Sequence, residues 1–505
     1  MTNPDAAPAT PSEGKEESLP IEPAEAAASN PVSKQVVQTL LLAMLFAAPA
    51  LMCVHAAFVS DMDLWWHLRA GEWILEHHAV PRTDPFSGTM GGRPWMAYSW
   101  LFELLAAKLF AWMGLAGIVA YTSAMILAIT VAMFHLVRRL QGLFARAILL
   151  SFACVFCMAH LYTPRPWLFT ILFFTLETDI LMQARKTGRL RELLWLPVIF
   201  ALWANLHIEF VDGLFVLGLA WAETLAARFG LGDKTRAQPN WMGLALAGSL
   251  LATLANPYGW RIYQAAYELA TQAGALDKVI ELQAIPFRNA ADFLVLLLAM
   301  GSAAALAWRR RFLLFEMALL GFATALAFRS QRDVWLMAVA GAAILASTIA
   351  GNETAAIRLP KLGTGLAVLM AVLAVAMGFS RMQVNNARLE SDLAKRLPVQ
   401  TVEVVKSRGY AGPLFNDFNW GGYLIWSLRM PVSIDGRQNL YGDQRLDRSI
   451  ATWSAQPDWE SDAQLTKAGL VIAPVKAPLT QALRMDPHFH LAYEDELAAV
   501  FVARK

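Results

Sequence analysis

The sequence predicts a polytopic α-helical membrane protein with a small α/β domain at its C-terminus. Of its 505 residues, 57% are hydrophobic and 16% are charged, and the mean hydropathy is +0.41. Apolar runs of about 20 residues, the length that crosses a bilayer as a helix, recur between residues 36 and 379. After residue 380 short apolar strands alternate with helical segments, which is typical of an α/β domain.

Charge and cysteine content exclude several function classes. The net charge is +2, without a basic run that interleaves aromatic residues, so nucleic acid is not an expected partner. The sequence has no glycine-rich phosphate loop. Cys53, Cys154 and Cys157 all lie in apolar runs, and we expect buried thiols rather than a zinc or redox site.

The N-terminus predicts a disordered cytoplasmic tail over residues 1–34. This segment is rich in Ala, Pro, Glu and Ser, and it cannot bury enough apolar surface to offset the entropy of ordering. It also lacks the basic region and short apolar core of a cleavable signal peptide. The apolar run at 36–59 is therefore expected to be an uncleaved anchor.

Residues 35–380 form the predicted transmembrane domain, with about 11 transmembrane helices judged by the length that a bilayer requires. The predicted spans are 36–59, 115–137, 143–162, 167–182, 193–206, 210–229, 241–255, 293–308, 312–328, 334–350 and 363–379.

The distribution of basic residues predicts the orientation. Clusters at 138–139, 185–191, 234–236, 309–311 and 358–361 fall in alternate loops, and cytoplasmic loops are the ones enriched in Lys and Arg. This places the N-terminus in the cytoplasm. The first outer loop, 59–114, and the C-terminal domain, 381–505, are then extracytoplasmic.

The first outer loop is the candidate catalytic segment. Asp61 and Asp63 lie at the membrane boundary, where a carboxylate either faces water or has a function. They could share a proton or a divalent cation, Mg²⁺ or Mn²⁺, and His67 stacks on Asp63 if a helix has begun. Alternatively, both acids cap a surface helix. Asp84 is a further candidate acid, although Asp before Pro is also a common turn residue. The segment at 100–112 alternates in polarity and predicts a helix on the membrane surface.

Four arginines lie on the same predicted side of the membrane as these acids, the outer side. The enrichment of basic residues in cytoplasmic loops therefore does not explain them. A guanidinium group matches a phosphate ester, so we expect them to bind a lipid phosphate, or else to pair with nearby acids and hold the loops. His207 and Glu209 are either a second acid–base pair or a structural cluster. The candidate binding residues are Arg165, His207, Glu209, Arg261, Arg329 and Arg332.

The C-terminal domain is expected to contain helices at 394–408, 421–428 and 479–485 and strands at 412–418, 432–435, 469–475 and within 488–502. The stretch 410–443, with Asp417, Asp435 and Arg437, is interpreted either as turn structure or as a lid over the active site.

Several motifs together resemble those of bacterial GT-C-type membrane glycosyltransferases, in an uncharacterised branch related to the dolichyl-phosphate-mannose protein mannosyltransferases. In the first loop they are Asp61-Met-Asp63-Leu-Trp-Trp-His67, Pro81-Arg-Thr-Asp84-Pro-Phe-Ser87, Trp95 and Trp100. Further along are Trp203-Ala-Asn-Leu-His207, Asn256-Pro-Tyr-Gly259, Arg329-Ser-Gln-Arg332, Gly421-Gly-Tyr423 and Ile434-Asp-Gly-Arg437.

The resemblance implies a GT-C-like fold, a polyprenyl-phosphate-linked sugar as donor, and an acid of the first outer loop as catalytic base. By position that base is Asp61 or Asp63, with Asp84 as a second first-loop acid. Better-studied members more often have Asp-Glu in this place, so the metal requirement and the acceptor stay open.

Three hypotheses follow for the function. The first is transfer of a sugar from the polyprenyl carrier to a lipid, glycan or protein of the cell envelope, among membrane lipids as partners. The second is a transporter or flippase for a lipid-linked or anionic solute, although no paired repeat is visible in the sequence. The third is a non-catalytic scaffold for envelope assembly.

Overall fold

The protein is a helical membrane protein with a small C-terminal sheet. The computed structural model describes residues 31–55, 61–231, 235–271, 279–309, 313–348 and 361–504. Most of the predicted disordered tail, residues 1–30, lies outside this set. The first helix begins at Pro31, inside the predicted tail, and proline is favoured at the first position of a helix because its fixed φ suits that position.

Nineteen α-helices lie within the described residues. They are α1 (Pro31–His55), α2 (Leu64–His77), α3 (Trp100–Met113), α4 (Leu115–Leu140), α5 (Phe144–Cys157), α6 (Trp167–Thr187), α7 (Leu196–Leu206), α8 (Phe210–Arg228), α9 (Pro239–Thr253), α10 (Arg261–Thr271), α11 (Ala290–Arg309), α12 (Leu314–Arg329), α13 (Val334–Thr348), α14 (Lys361–Arg381), α15 (Asn386–Leu393), α16 (Val399–Arg408), α17 (Gly421–Leu428), α18 (Gln438–Trp453) and α19 (Pro478–Met485).

Each predicted span contains one of these helices. In the described part of the chain, six are long and apolar enough to cross a membrane, namely α1, α4, α6, α8, α11 and α14. The helices of the other five predicted spans, α5, α7, α9, α12 and α13, have 11 to 16 residues. The protein is therefore a multi-pass membrane protein, and the short helices are held by neighbouring helices.

The helix α13 lies at the centre of the bundle, where nearly all of its residues are buried. It packs against α4, α5, α6, α11 and α12. Small residues permit this close packing, as is common between membrane helices. A Cβ atom added to Gly341 would lie 2.9 Å from Cε of Met337 and 3.3 Å from Cβ of Leu298.

Three helices of the bundle are tied together by one buried ion network. The guanidinium of Arg185, near the end of α6, lies 2.6 Å from both carboxylate oxygens of Glu223 on α8. The same group lies 2.9 and 2.7 Å from the oxygens of Glu316 on α12, and it stacks on the ring of Phe315. Removing one partner would leave a buried charge uncompensated.

The helices α2 and α3 pack on one end of the bundle as a closely fitted pair. Gly71 makes this approach possible, since a Cβ atom there would lie 2.6 Å from the carbonyl carbon of Glu103 and 2.7 Å from Cβ of Ala107. Residues 100–113 form the expected helix, α3, and its buried face includes Phe102 and Glu103.

The C-terminal part contains a four-stranded sheet of order β1-β2-β4-β3, formed by β1 (Leu414–Asn416), β2 (Leu470–Pro474), β3 (Phe489–Glu494) and β4 (Ala498–Ala503). Strands β1 and β2 are parallel, and the other two pairs are antiparallel. One face of the sheet, with Leu470 and Val500, belongs to the main apolar core that also includes the membrane helices. The other face covers a smaller core around Phe415 and Phe501.

Three elements of this part differ from the sequence prediction. The helix expected at 394–408 is shorter, α16 (Val399–Arg408), and a separate helix, α15, precedes it. Residues 432–435 were expected to form a strand, but apart from one bridge between Ser87 and Val432 they are irregular, because the side chain of Asn416 binds the N–H of Ser433 and the carbonyl of Ile434. The helix α18 falls where turn structure was expected; it is kinked at Gly442, whose φ is +71°.

The helix α17 joins the C-terminal part to α2. The ring of Trp65 lies 5.1 Å from that of Tyr423 and 4.8 Å from that of Trp426. The indole N–H of Trp426 donates to Glu72 at 3.1 Å, and Arg429 forms an ion pair with the same carboxylate at 2.8 Å. The C-terminal part is thereby fixed on the surface helices.

Candidate functional site

Asp61, Asp63 and Arg165 form an ion cluster where the first outer loop meets the start of α6. The guanidinium Nε of Arg165 lies 2.8 and 2.7 Å from the two carboxylate oxygens of Asp61. Nη1 of the same side chain donates to Asp63. The two acids therefore share one cation, although 102 and 104 residues separate them from it.

The local backbone places both acids at the start of α2. Asp63 is the residue before the helix, and its carbonyl accepts the backbone N–H of His67 one turn later. Asp61 accepts the backbone N–H of Asp63 at 2.9 Å. Of the two alternatives for this segment, extended backbone or a helix begun at Asp63, the structure has the helix, and the two carboxylates meet at the guanidinium of Arg165.

Arg165 is held from three sides. Pro164 and Pro166 restrict the backbone around it. The hydroxyl of Tyr121 on α4 donates to its carbonyl at 3.1 Å, and its guanidinium lies 5.0 Å from the ring centroid of Trp167. Since Nε and Nη1 both face carboxylates, the structure places this side chain against acids.

Burial raises the pKa of Asp63 to about 7, although the guanidinium of Arg165 opposes this effect and Asp61 adds to it. The side chain keeps 18% of its surface exposed, whereas that of Asp61 keeps 6%. Asp63 is thus the more accessible of the two acids, and a carboxylate that titrates near neutral pH is suited to general-base catalysis.

Two cavities meet at this cluster. The first has a volume of about 240 Å³ and lies between the first outer loop and the ends of α6, α8 and α12. The second, of about 680 Å³, lies between the cluster and α18. Residues in the walls of both are Asp63, Arg165, Trp167, Glu281, Arg332, Gly436 and Gln438.

His67 and Glu103 form a buried pair in the wall of the first cavity, with 3.3 Å between Nδ1 and Oε1. Burial raises the pKa of Glu103 to about 8, with Arg437 opposing it. Burial also lowers the pKa of His67 well below its ordinary value, and the charge of Arg165 adds to this. Both side chains are therefore neutral at neutral pH. His67 was predicted from its spacing to Asp63, whereas Glu103 was expected only on a surface helix.

His207, Glu209 and Arg332 form a second charged group in the first cavity. Nδ1 of His207 lies 2.9 Å from the hydroxyl of Thr170 and 3.4 Å from Oε2 of Glu209. Nη2 of Arg332 lies 3.2 Å from Oε1 of Glu209. Burial raises the pKa of Glu209, but His207 and Arg332 outweigh it, and the net shift is downward. Arg332 keeps 30% of its side chain exposed and so faces the cavity.

Arg329 and Asp333 lie beside Arg332, in the turn between α12 and α13. The Arg329 side chain is exposed, and its contact to the carbonyl of Ala270 is 3.5 Å long. Burial raises the pKa of Asp333 to about 7, against the effect of Arg332. Glu281 also lies in the wall of this cavity. The segment that carries it is held there because the side-chain amide of Gln331 donates to the carbonyl of Ile280 at 3.1 Å.

Two predicted site residues lie elsewhere. Asp84 is fully buried outside both cavities, where it accepts the N–H groups of Phe86 and Ser87 and lies 2.7 Å from Nη1 of Arg437. Arg261 is exposed at the start of α10, also outside both cavity walls. The turn residue Asp84 therefore has a structural partner, and Arg261 has no place beside the other arginines.

The residues that sequence reasoning missed come from elements whose packing the sequence does not show. Glu103 was interpreted as a polar position of an amphipathic surface helix, and Asp212 as part of the apolar span that forms α8, but both line the first cavity. Gly436 and Arg437 reach the cavities from the C-terminal part. The motif Ile434-Asp-Gly-Arg437 could have indicated Gly436 and Arg437. It was noted in the sequence and interpreted mainly as a turn.

The expected divalent metal does not fit the cluster. The single guanidinium of Arg165 contacts both carboxylates of the Asp61–Asp63 pair and occupies oxygens that a metal ion would need. In the described part of the chain, no group of three or more His, Cys, Asp or Glu residues could hold a metal ion. Cys53, Cys154 and Cys157 are buried free thiols, as their apolar surroundings predict.

Comparison with known proteins places the fold. No protein-family model and no curated protein matches this chain. Among solved structures, the archaeal oligosaccharyltransferase AglB from Archaeoglobus fulgidus, in complex with an inhibitory peptide and a dolichol-phosphate, is similar with a TM-score of 0.55 and 11% identity. The similarity covers 88% of this chain and 69% of that one.

Two further structures are similar at a lower level. A second Archaeoglobus fulgidus oligosaccharyltransferase structure, with Zn and sulfate, has a TM-score of 0.46, 10% identity and coverage of 88% and 68%. Apo ArnT from Cupriavidus metallidurans has a TM-score of 0.47, 14% identity and coverage of 94% and 98%. The similarity to AglB confirms the predicted fold class: this polytopic membrane chain has the GT-C fold of membrane glycosyltransferases.

Proposed function

We propose that this protein transfers a sugar from a polyprenyl-phosphate-linked donor to an envelope acceptor at the outer face of the bacterial inner membrane. The observation that carries the proposal is the position of Asp63. Its carboxylate lies in the walls of both cavities, where two substrates could approach it from opposite sides. A lipid-linked sugar and its acceptor are two such substrates.

The position of Arg329, in the wall of the first cavity only, supports the first cavity as the donor site. Arg165 is paired with two acids, whereas Arg329 is exposed at the first cavity, and Arg332 keeps 30% of its side chain exposed there while pairing with Glu209. A guanidinium group binds a phosphate ester well because its N–H donors match the phosphate oxygens. The dolichol-phosphate bound to AglB, a protein of the same fold, supports a lipid phosphate as the ligand.

The reaction then proceeds by positioning and charge. Asp63 takes the proton of the acceptor hydroxyl as that oxygen bonds to the anomeric carbon of the sugar. The bond from the anomeric carbon to the phosphate oxygen breaks, and the lipid phosphate leaves with the bonding electron pair. Arg329 and Arg332 stabilise the leaving group, while Arg165 and Asp61 hold Asp63 in place.

The acceptor belongs in the second cavity, where α18 of the C-terminal part supplies one wall. Four carboxylate side chains line this cavity, against two arginines. The four are Asp61, Asp63, Glu281 and Asp417.

The test replaces the base by an isostere. Asp63→Asn keeps a hydrogen-bond acceptor for Arg165 but cannot take a proton, so we expect transfer to fall by about 10²- to 10⁴-fold. The measurement is sugar transfer by the purified protein in vesicles, with donor and acceptor classes identified by mass spectrometry of envelope material from a deletion strain. Glu76→Gln, an exposed acid at the other end of α2, serves as the matched control.

A non-catalytic scaffold would behave differently. A strain without the scaffold would have a poorly assembled cell envelope, but no particular sugar would be missing from it. The Asp63→Asn protein would complement this deletion fully. Full complementation by a correctly folded Asp63→Asn protein would refute the role of Asp63.

A further inference from the structure

Residues 432–437 of the C-terminal part lie along the first outer loop, joined to it by main-chain hydrogen bonds. The N–H of Gly88 donates to the carbonyl of Val432 at 2.8 Å, and the N–H of Val432 donates to the carbonyl of Phe86 at 3.2 Å. The hydroxyl of Thr89 donates to the carbonyl of Ser433 at 3.0 Å. The segment therefore has a fixed register on the loop that carries the acids.

A buried arginine locks the end of this segment. Arg437 donates to Asp84 at 2.7 Å and to the two oxygens of Asp435 at 2.8 and 2.6 Å. Its guanidinium lies 5.2 and 4.8 Å from the ring centroids of Phe86 and Trp95. With 1% of its side chain exposed, Arg437 leaves the backbone between residues 435 and 437 little freedom to move.

Because Arg437 is fixed in this way, the backbone of Gly436 lies close against the carboxylate of Asp63. A Cβ atom at position 436 would lie 2.8 Å from Cγ of Asp63 and closer still to its Oδ1. The backbone of Gly436 is not in the left-handed region, so glycine is required by space and not by conformation. Gly436 also lies in the walls of both cavities, at the place where they meet.

We propose that Gly436 is a positioning residue for the transfer reaction, and that its missing side chain leaves the space in which the Asp63 carboxylate lies. The C-terminal part is then a component of the catalytic site. This inference rests on the proposed role of Asp63 as base, but the contact itself can be tested without any activity.

The activity test compares two glycine substitutions in contacting segments. Gly436→Ala displaces the Asp63 carboxylate, and a misplacement of about 1 Å costs about 10²-fold in rate, so kcat should fall by this order with little change in the donor KM. Gly88→Ala is the matched control, because its added Cβ would lie 3.7 Å from Pro431, an ordinary contact. Equal kcat values for Gly436→Ala and wild type would overturn the proposal.

A chemical readout separates this inference from the proposed function. Arg165 protects Asp63 from coupling by a carbodiimide and an amine, so labelling of Asp63, measured by peptide mapping, should rise in Gly436→Ala and stay at the wild-type level in Gly88→Ala. If labelling rises but the wild type transfers no sugar, the placement of the Asp63 carboxylate by Gly436 stands and the transferase assignment fails. Identical labelling in all three proteins would refute the positioning role, whatever the activity.

A double substitution covers the case in which Gly436→Ala is poorly stable. Asp63→Ala removes the group that the new Cβ would meet, so the drop in unfolding temperature caused by Gly436→Ala should be smaller in the Asp63→Ala background. An equal drop in both backgrounds would show that the close contact with Asp63 is not what requires glycine.

Discussion

The chemistry of Glu103 depends on its burial. Only 1% of its side chain is exposed, and burial keeps it protonated at neutral pH, with a pKa of about 8 in place of 4.5. Its Oε1 pairs with Nδ1 of His67, which burial keeps neutral. The pair thus adds polarity but no net charge to the cavity wall.

The raised pKa predicts how stability changes with pH. The folded protein binds a proton at Glu103 that the unfolded chain releases near pH 4.5, so this group stabilises the fold at low pH, and its contribution is lost as the pH rises to about 8. Glu103→Gln removes this dependence. We expect the unfolding temperature of the wild type in detergent to fall relative to Glu103→Gln over this range and then to level off.

A parallel pH dependence in the two proteins would contradict the assignment of the proton to Glu103. His67→Gln offers a further comparison, because it alters the partner while leaving the carboxyl group buried.

At the scale of single residues, the sequence showed the types of the site residues but not the residues they pair with. Asp61, Asp63 and Arg165 could be selected because charged groups at a membrane boundary are costly without a function. Nothing in the spacing of Asp84 distinguished a catalytic acid from the partner of an arginine 353 residues away. Arg261 was selected by the same argument as Arg332, but α10 places it outside both cavities.

At the scale of elements, the contact between the first outer loop and residues 432–437 decides where the site lies. Asp84 accepts two backbone N–H groups of its own turn and pairs with Arg437. We therefore propose a structural role for Asp84, the turn alternative that its place before a proline offered, instead of the catalytic one.

Asp84→Asn tests this assignment. Arg437 keeps Asp435 as a partner, so the loss in the free energy of unfolding should be about 1–3 kcal/mol, the range for a buried polar group that loses its partner. Transfer by the folded fraction should stay within a few-fold of the wild-type rate. Loss of transfer without loss of stability would instead support a catalytic Asp84.

Most helices could be predicted because apolar length and periodicity determine them locally. Residues 432–435 could not, since their alternating pattern is typical of a strand, and only the hydrogen bonds of Ser433 and Ile434 with the Asn416 side chain decide against it. The helix α18 was missed because its residues are mainly polar and its kink at Gly442 interrupts the pattern.

For the whole molecule, the orientation in the membrane remains a prediction from the basic loops. It places Arg189 in the cytoplasm and Glu460 outside the cell, and both are exposed. The three native thiols are buried, so the wild-type chain is a suitable background for single introduced cysteines.

We expect a membrane-impermeant maleimide to label Glu460→Cys in intact spheroplasts and to label Arg189→Cys only after the membrane is permeabilised. The opposite pattern would place the two cavities at the cytoplasmic face and would exclude an extracytoplasmic transfer. Gel-shift detection of the labelled protein is sufficient for this measurement.

The sheet of the C-terminal part shares its apolar face with the membrane helices, and this has a practical consequence. Leu470 and Val500 belong to the same continuous core as Trp65 on α2 and Phe46 on α1. A truncation after Arg381 would divide that core and expose apolar surface on both fragments. Neither piece is then a natural unit for expression, and only the intact chain is a sound starting point for purification.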